Sequence, residues 1–127
     1  MLKVDTDGFD YHVLNSGYSI IKSNLPLIYF ESLIRKSESE GICALNALDN
    51  LEKLGYSFLI FDSGGFLIGD FLIKDFKLFT RWYHQHHLYC DVLAFLPKDK
   101  IHKSISIEIR KEYGFSLMHY AERSEPN

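Results

Sequence analysis

At 127 residues the chain has the size of one domain, and 46% hydrophobic with 15% aromatic residues supplies a core and excludes disorder. Fourteen basic against 17 acidic residues give a net charge of -3. With no basic stripe, nothing gives a nucleic acid its electrostatic footprint, and no apolar run reaches the roughly 20 residues of a membrane helix. No basic start leads into an apolar stretch after Met1, so no signal peptide is read and the cytoplasm is the expected compartment. Cys43 and Cys90 read as inert core thiols.

Leu2-Lys3-Val4 is a short strand that closes in the turn Asp5-Thr6-Asp7-Gly8, with Asp7 placed to cap a following helix. That helix runs from Phe9 to Ile21, with Phe9, Val13, Ile20 and Ile21 on one side, Leu14 and Gly17 beside them, and Gly17 a point where it can break in two. After Pro26, the run Leu27-Ile28-Tyr29-Phe30 ends at Glu31. An apolar run without polar alternation suggests a strand covered on both faces, as in a parallel sheet.

A helix is expected over Glu38–Leu54, with Leu45, Leu48, Leu51 and Leu54 as its core stripe and Gly55 as its stop. Tyr56–Phe61 is a strand, and Asp62-Ser63-Gly64-Gly65 can turn it into a hairpin with Phe66-Leu67-Ile68. From Gly69 to His87 charges interrupt the aromatics without a clean period, which predicts an irregular link with short helical pieces. Leu88–Leu96 is a strand ended by Pro97. Ile101, Ile105 and Ile109 predict an amphipathic helix, and the chain frays after Gly114. Alternation of this kind implies an α/β fold with helices packed on a mostly parallel sheet.

Such sheets bind ligands at the carboxyl ends of their strands, where Asp5 and Asp7 stand two apart. Two carboxylates so close can share a divalent cation such as Mg²⁺ or Mn²⁺, or hydrogen-bond a polyol; an Asp-x-Asp-Gly run is also a common turn. Glu31 ends the next strand and would bring a third carboxylate to the same rim, unless it serves only a salt bridge to Lys22 or Arg35. His12 is a candidate base or substrate contact at that rim, or a surface residue. His84, His86 and His87 are poorly spaced for zinc. No phosphate-cradling glycine loop and no nucleophile elbow occurs.

Leu2-Lys3-Val4-Asp5-Thr6-Asp7-Gly8-Phe9-Asp10, followed by Leu14, Gly17 and Pro26-Leu27-Ile28-Tyr29-Phe30-Glu31, resembles the second half of an FkbM-type S-adenosylmethionine-dependent methyltransferase. Asp7 and Asp10 stand where that family usually has Glu. Gly55-Tyr56 with Phe58–Asp62, and Asp91–Lys98, resemble its later segments, so the likeness covers residues 2–98 and leaves 99–127 as a C-terminal helix and tail. The resemblance implies a partial class I methyltransferase fold, Rossmann-like and mostly parallel with one late antiparallel strand, its N-terminal strands missing from this chain. It implies S-adenosylmethionine as cofactor and a hydroxyl of a sugar or related small molecule as acceptor. Asp5 would face donor and acceptor, while Asp7 and Glu31, with His12 as a possible base, would position and deprotonate the hydroxyl.

The family's glycine-rich loop and acidic strand end, which hold the cofactor, have no counterpart here, so a truncated or split form is expected. An open edge on the first strand would invite self-association or an N-terminal partner. Two alternatives stand beside this reading: an inactive fragment or assembly subunit, and a metal-dependent sugar-nucleotide glycosyltransferase, whose Asp-x-Asp the Asp5–Asp7 pair mimics.

Overall fold

The computed structural model describes residues 1–34, 37–86 and 89–124, with His86 and residues 113–124 as backbone alone. Along the chain run β1 (Leu2–Lys3), α1 (Asp10–Ser16), α2 (Tyr18–Asn24), β2 (Ile28–Ser32), α3 (Glu38–Lys53), β3 (Ser57–Phe61), β4 (Leu67–Leu72), α4 (Ile73–His86), β5 (Cys90–Phe95) and α5 (Lys100–Ser124). The strands form one sheet in the order β1-β2-β5-β3-β4.

Only β1 and β2 pair in parallel; β2–β5, β5–β3 and β3–β4 are antiparallel. The expected mostly parallel, Rossmann-like sheet is therefore corrected to a mixed α/β fold whose sheet is mostly antiparallel. Two features cause this. The Asp62–Gly65 turn folds β4 straight back on β3: the Asp62 carboxylate accepts from the Gly64 and Phe66 amides, and Gly65 takes a φ of 84°. The last strand, β5, then enters between β2 and β3 and runs against both, so β1, β2 and β3 point one way and β5 and β4 the other.

Each sheet face has its own core. Ile28, Phe30, Phe58, Ile60, Cys90, Val92 and Ala94 pack with residues of α1, α3 and α4. Leu27, Leu59, Phe61, Leu67, Leu93 and Phe95 form the second core, against which Ile109 of α5 packs. The uninterrupted apolar runs of β2 and β3 thus report two covered faces, which helices on both sides produce whatever the direction of pairing. Edge-on aromatic contacts run through the larger core, Tyr11 to Phe30 to Phe58 to Phe76, with centroids 5.1–5.8 Å apart.

α3 forms as its sequence dictates. The Ser37 side chain accepts from the Glu40 amide at the start. At the end Gly55 takes a φ of 92°, its amide bonding to Glu52 and that of Tyr56 to Leu51, a Schellman closure. Ala44, Ala47, Leu48 and Leu51 are buried, whereas Leu45, expected in the stripe, is exposed. The helix expected over Phe9–Ile21 is two helices meeting at Gly17. They bury Tyr11, Leu14 and Ile21, and leave Phe9, Val13 and Ile20 exposed.

The 69–87 region differs most from expectation. It completes β4 and then forms the single 14-residue helix α4. Its buried positions Ile73, Phe76, Thr80 and Tyr83 follow helical spacing, which the polar Thr80 and the outward Leu78 and Trp82 obscure in the sequence. In α5, His102 and Ser106 are buried while Ile101 and Ile105 are exposed, so of the expected isoleucines only Ile109 packs on the core. The helix passes through Gly114 to Ser124. Leu88 and His87 lie outside the described residues.

Candidate functional site

The carboxyl ends of β1 and β2 lie side by side because these strands are parallel neighbours, with Leu2 opposite Ile28 and Lys3 opposite Tyr29. Just beyond β1 the chain turns through Asp7 and Gly8, both with positive φ (52° and 105°). Asp7 therefore does not cap α1. Phe9 precedes that helix without any side-chain cap, and the Thr6 hydroxyl accepts from the Phe9 amide instead.

What fixes the rim is Asp10, a residue sequence reasoning did not place among the site residues. Only 2% exposed, its carboxylate accepts from the Thr6 amide (3.1 Å), the Thr6 hydroxyl and the Glu31 amide (2.8 Å). One side chain thus ties the β1–α1 loop to the end of β2. The spacing of four from Thr6 to Asp10 is the local trace of this in the sequence; the bond to Glu31 has none.

Glu31 and Asp91 stand opposite each other across the β2–β5 ladder. Like charges so placed repel. Burial first, then the carboxylates of Asp10, Asp91, Asp5 and Asp7, push the Glu31 carboxyl above its ordinary range. Burial also raises Asp91, as do Asp10 and Asp5, against the opposing effects of a Tyr29 hydrogen bond and the Lys3 cation. The structure therefore brings Asp5, Asp7 and Glu31 to one rim and adds Asp91 and Tyr29. A lone carboxylate inside the apolar run Leu88–Leu96 was the signal for Asp91. No ion pair joins Glu31 to Lys22; Arg35 lies outside the described residues.

His12 goes elsewhere, onto the α1–α3 contact, with Nε2 3.2 Å from a Glu40 oxygen. His84 also serves another place: Tyr11 Oη lies 2.5 Å from Ser32 Oγ, which is 3.1 Å from His84 Nε2. This polar chain links α1, β2 and α4, and burial drives the Tyr11 phenol far upward. A cleft of about 280 Å³ between α3 and α4, lined by Ile34, Leu45, Thr80, Arg81 and His84 among others, lies beside it.

Among the described residues no group of three or more His, Cys, Asp or Glu side chains is arranged to hold a metal ion. The cavity that borders the rim, between Tyr29, Phe61, Gly65 and Asp91, measures about 140 Å³. Pockets that enclose a drug-sized ligand begin near about 300 Å³, so this cavity can border a small hydroxylated ligand on the open rim but not enclose a larger one. A carboxylate rim suits a cationic sulfonium, but this cavity does not fit a whole S-adenosylmethionine. The outer edge of β1 is two residues long and carries the exposed Lys3, both features that discourage pairing with another strand. Among the described residues no helix is long and apolar enough to cross a membrane.

Comparison of the chain with protein families, curated proteins and solved structures finds no match. The FkbM resemblance accordingly rests on the motifs that carry it.

Proposed function

We propose that the rim formed by Asp5, Asp7, Glu31 and Asp91 binds the hydroxyl groups of a sugar-like small molecule, the acceptor class that the motif resemblance implies, and presents one of them to Glu31 as base. The observation that carries this reading is the opposition of Glu31 and Asp91 across the ladder. Two carboxylates held face to face weaken the folded state at neutral pH, and such arrangements concentrate at functional sites. A carboxylate only accepts hydrogen bonds, so several together suit a ligand that brings several O–H donors.

Glu31 is the proton acceptor in this reading. Its raised affinity for a proton makes it a stronger base than an ordinary carboxylate, and Asp10 holds its backbone in place. Asp91, steadied by Tyr29, takes a second hydroxyl. Asp5 and Asp7, both exposed, border the acceptor from the β1 side. No step is assigned to S-adenosylmethionine, since the cavity beside these residues is too small for it.

The test is amide-resolved NMR of the full chain titrated with a methyl glycoside, beside calorimetry with S-adenosylmethionine. Perturbation of the amides of residues 5–7, 31 and 91, lost in Glu31→Gln, is the expected result. Absence of any perturbation there at tens of millimolar glycoside would overturn the reading. Micromolar binding of S-adenosylmethionine would show that the chain holds the donor after all.

A further inference from the structure

A second cluster of reactive side chains lies where α1 packs on α3, and it is independent of the rim. Cys43 Sγ stands 3.4 Å from His12 Nδ1, while His12 Nε2 lies 3.3 and 3.2 Å from the two Glu40 carboxylate oxygens. Asn15 Nδ2 donates to the Cys43 carbonyl at 3.0 Å and lies 3.3 Å from the same sulfur. Asn46 Nδ2 in turn donates to Asn15 Oδ1 at 3.3 Å, which fixes the amide with its NH₂ toward Cys43. Helical spacing makes this possible. His12 and Asn15 are three apart on α1, and Glu40, Cys43 and Asn46 are three apart along α3, so each set shares one face.

The chemistry follows from donors and acceptors. A carboxylate only accepts, so Nε2 carries its proton toward Glu40 and Nδ1 is left to accept from the thiol. Nucleophile, base and orienting acid therefore stand in sequence, and a neutral amide faces the sulfur from the other side. Cys43 is half-buried, and the His12 side chain beside its sulfur is 47% exposed, so the cluster lies at the protein surface. The other thiol is a built-in contrast: Cys90 is fully buried, and burial pushes it up to about 12.

We propose that Cys43 is a thiolation site, at which a low-molecular-weight disulfide exchanges with the protein thiol, with His12 as base and with Glu40 and Asn15 as positioning residues. The Cys43 proton passes to His12 Nδ1 as Sγ attacks one sulfur of the disulfide. That S–S bond breaks, a mixed disulfide forms on Cys43, and the departing thiolate takes up the proton from His12. Cys43 is oxidised and half of the small disulfide is reduced, so no further oxidant enters. Exchange suits the cluster because charge develops on sulfur alone, which His12 and Asn15 both face, and no separate oxyanion site is needed.

The test treats the folded chain with oxidised glutathione at neutral pH and follows the adduct by intact-mass spectrometry and peptide mapping. One adduct is expected, on Cys43 and not on Cys90, forming about tenfold or more faster than on the same chain unfolded in urea. His12→Gln should remove that acceleration and added imidazole should restore part of it. Glu40→Gln should lower the rate less, and Glu40→Asp less still. His12 is exposed and Glu40 half-buried, and circular dichroism checks that the variants fold. Reaction of Cys43 no faster than in the unfolded chain, equal labelling of Cys90, or an unchanged rate in folded His12→Gln would each overturn the proposal.

Discussion

Replacing Asp10 with Ala tests whether one buried carboxylate holds the rim together. The substitution leaves the Thr6 and Glu31 amides without their acceptor, whereas the Thr6 hydroxyl can rotate toward solvent. Each orphaned amide costs about 1–2 kcal/mol, and the acidic residue lost from the first turn of α1 adds about 0.5 kcal/mol. Relief of repulsion on Glu31 offsets only a little of this. The net expectation is a loss of about 3 kcal/mol, or a Tm lower by about 10 °C for a chain of this length. Urea unfolding measures it as a lower midpoint at unchanged slope. The Asp10→Asn variant supplies a local reading: because Asp10 contributes most among the carboxylates that raise Glu31, the Glu31 carboxyl should titrate at lower pH, as followed by side-chain NMR. A stability loss below about 1 kcal/mol in Asp10→Ala, together with an unmoved Glu31 titration in Asp10→Asn, would refute this account of the rim.

Three other substitutions probe different parts of the argument. Glu31 and Asp91 have folded values above their unfolded ones, so the folded state binds protons more readily and stability falls as pH rises from about 4 through the raised range. Glu31→Gln should therefore raise Tm by about 1–3 °C at pH 7 and lose that advantage near pH 4; a uniform effect across this range would show that repulsion is absent. Phe58→Ala opens a cavity between Phe30 and Phe76 at a fully buried position, and should cost about 3–5 kcal/mol in urea unfolding. A cost under about 2 kcal/mol would mean that the sheet collapses to fill the space. Ser37→Ala removes the acceptor for the Glu40 amide and should cost about 1 kcal/mol, with faster amide exchange confined to the first turn of α3.

The sequence by itself determined those elements whose signals are local. The apolar Leu48 and Leu51 with Ala44 and Ala47, and the left-handed Gly55, mark α3 nearly to the residue, whereas its Ser37 cap was seen only in the structure. Gly17 marked the break between α1 and α2, and Asp62–Gly65 marked the turn between β3 and β4. At the rim, Asp5, Asp7 and Glu31 were legible because carboxylates at strand ends interrupt apolar runs.

Only the tertiary structure decided direction, face and partner. An apolar run reports that two faces are covered, and it does so equally in parallel and antiparallel sheets, so the insertion of β5 between β2 and β3 left no local mark. Which side of a helix turns inward depends on what packs against it. The core therefore takes Tyr11 rather than Val13, and His102 and Ser106 rather than Ile101. Asp91 reaches Glu31 across 60 positions of chain, and His12 reaches Cys43 across 31, each through packing that no spacing rule within one element encodes. Periodicity is a property of neighbours along the backbone, whereas these contacts are set by the lowest free energy of the whole packed chain.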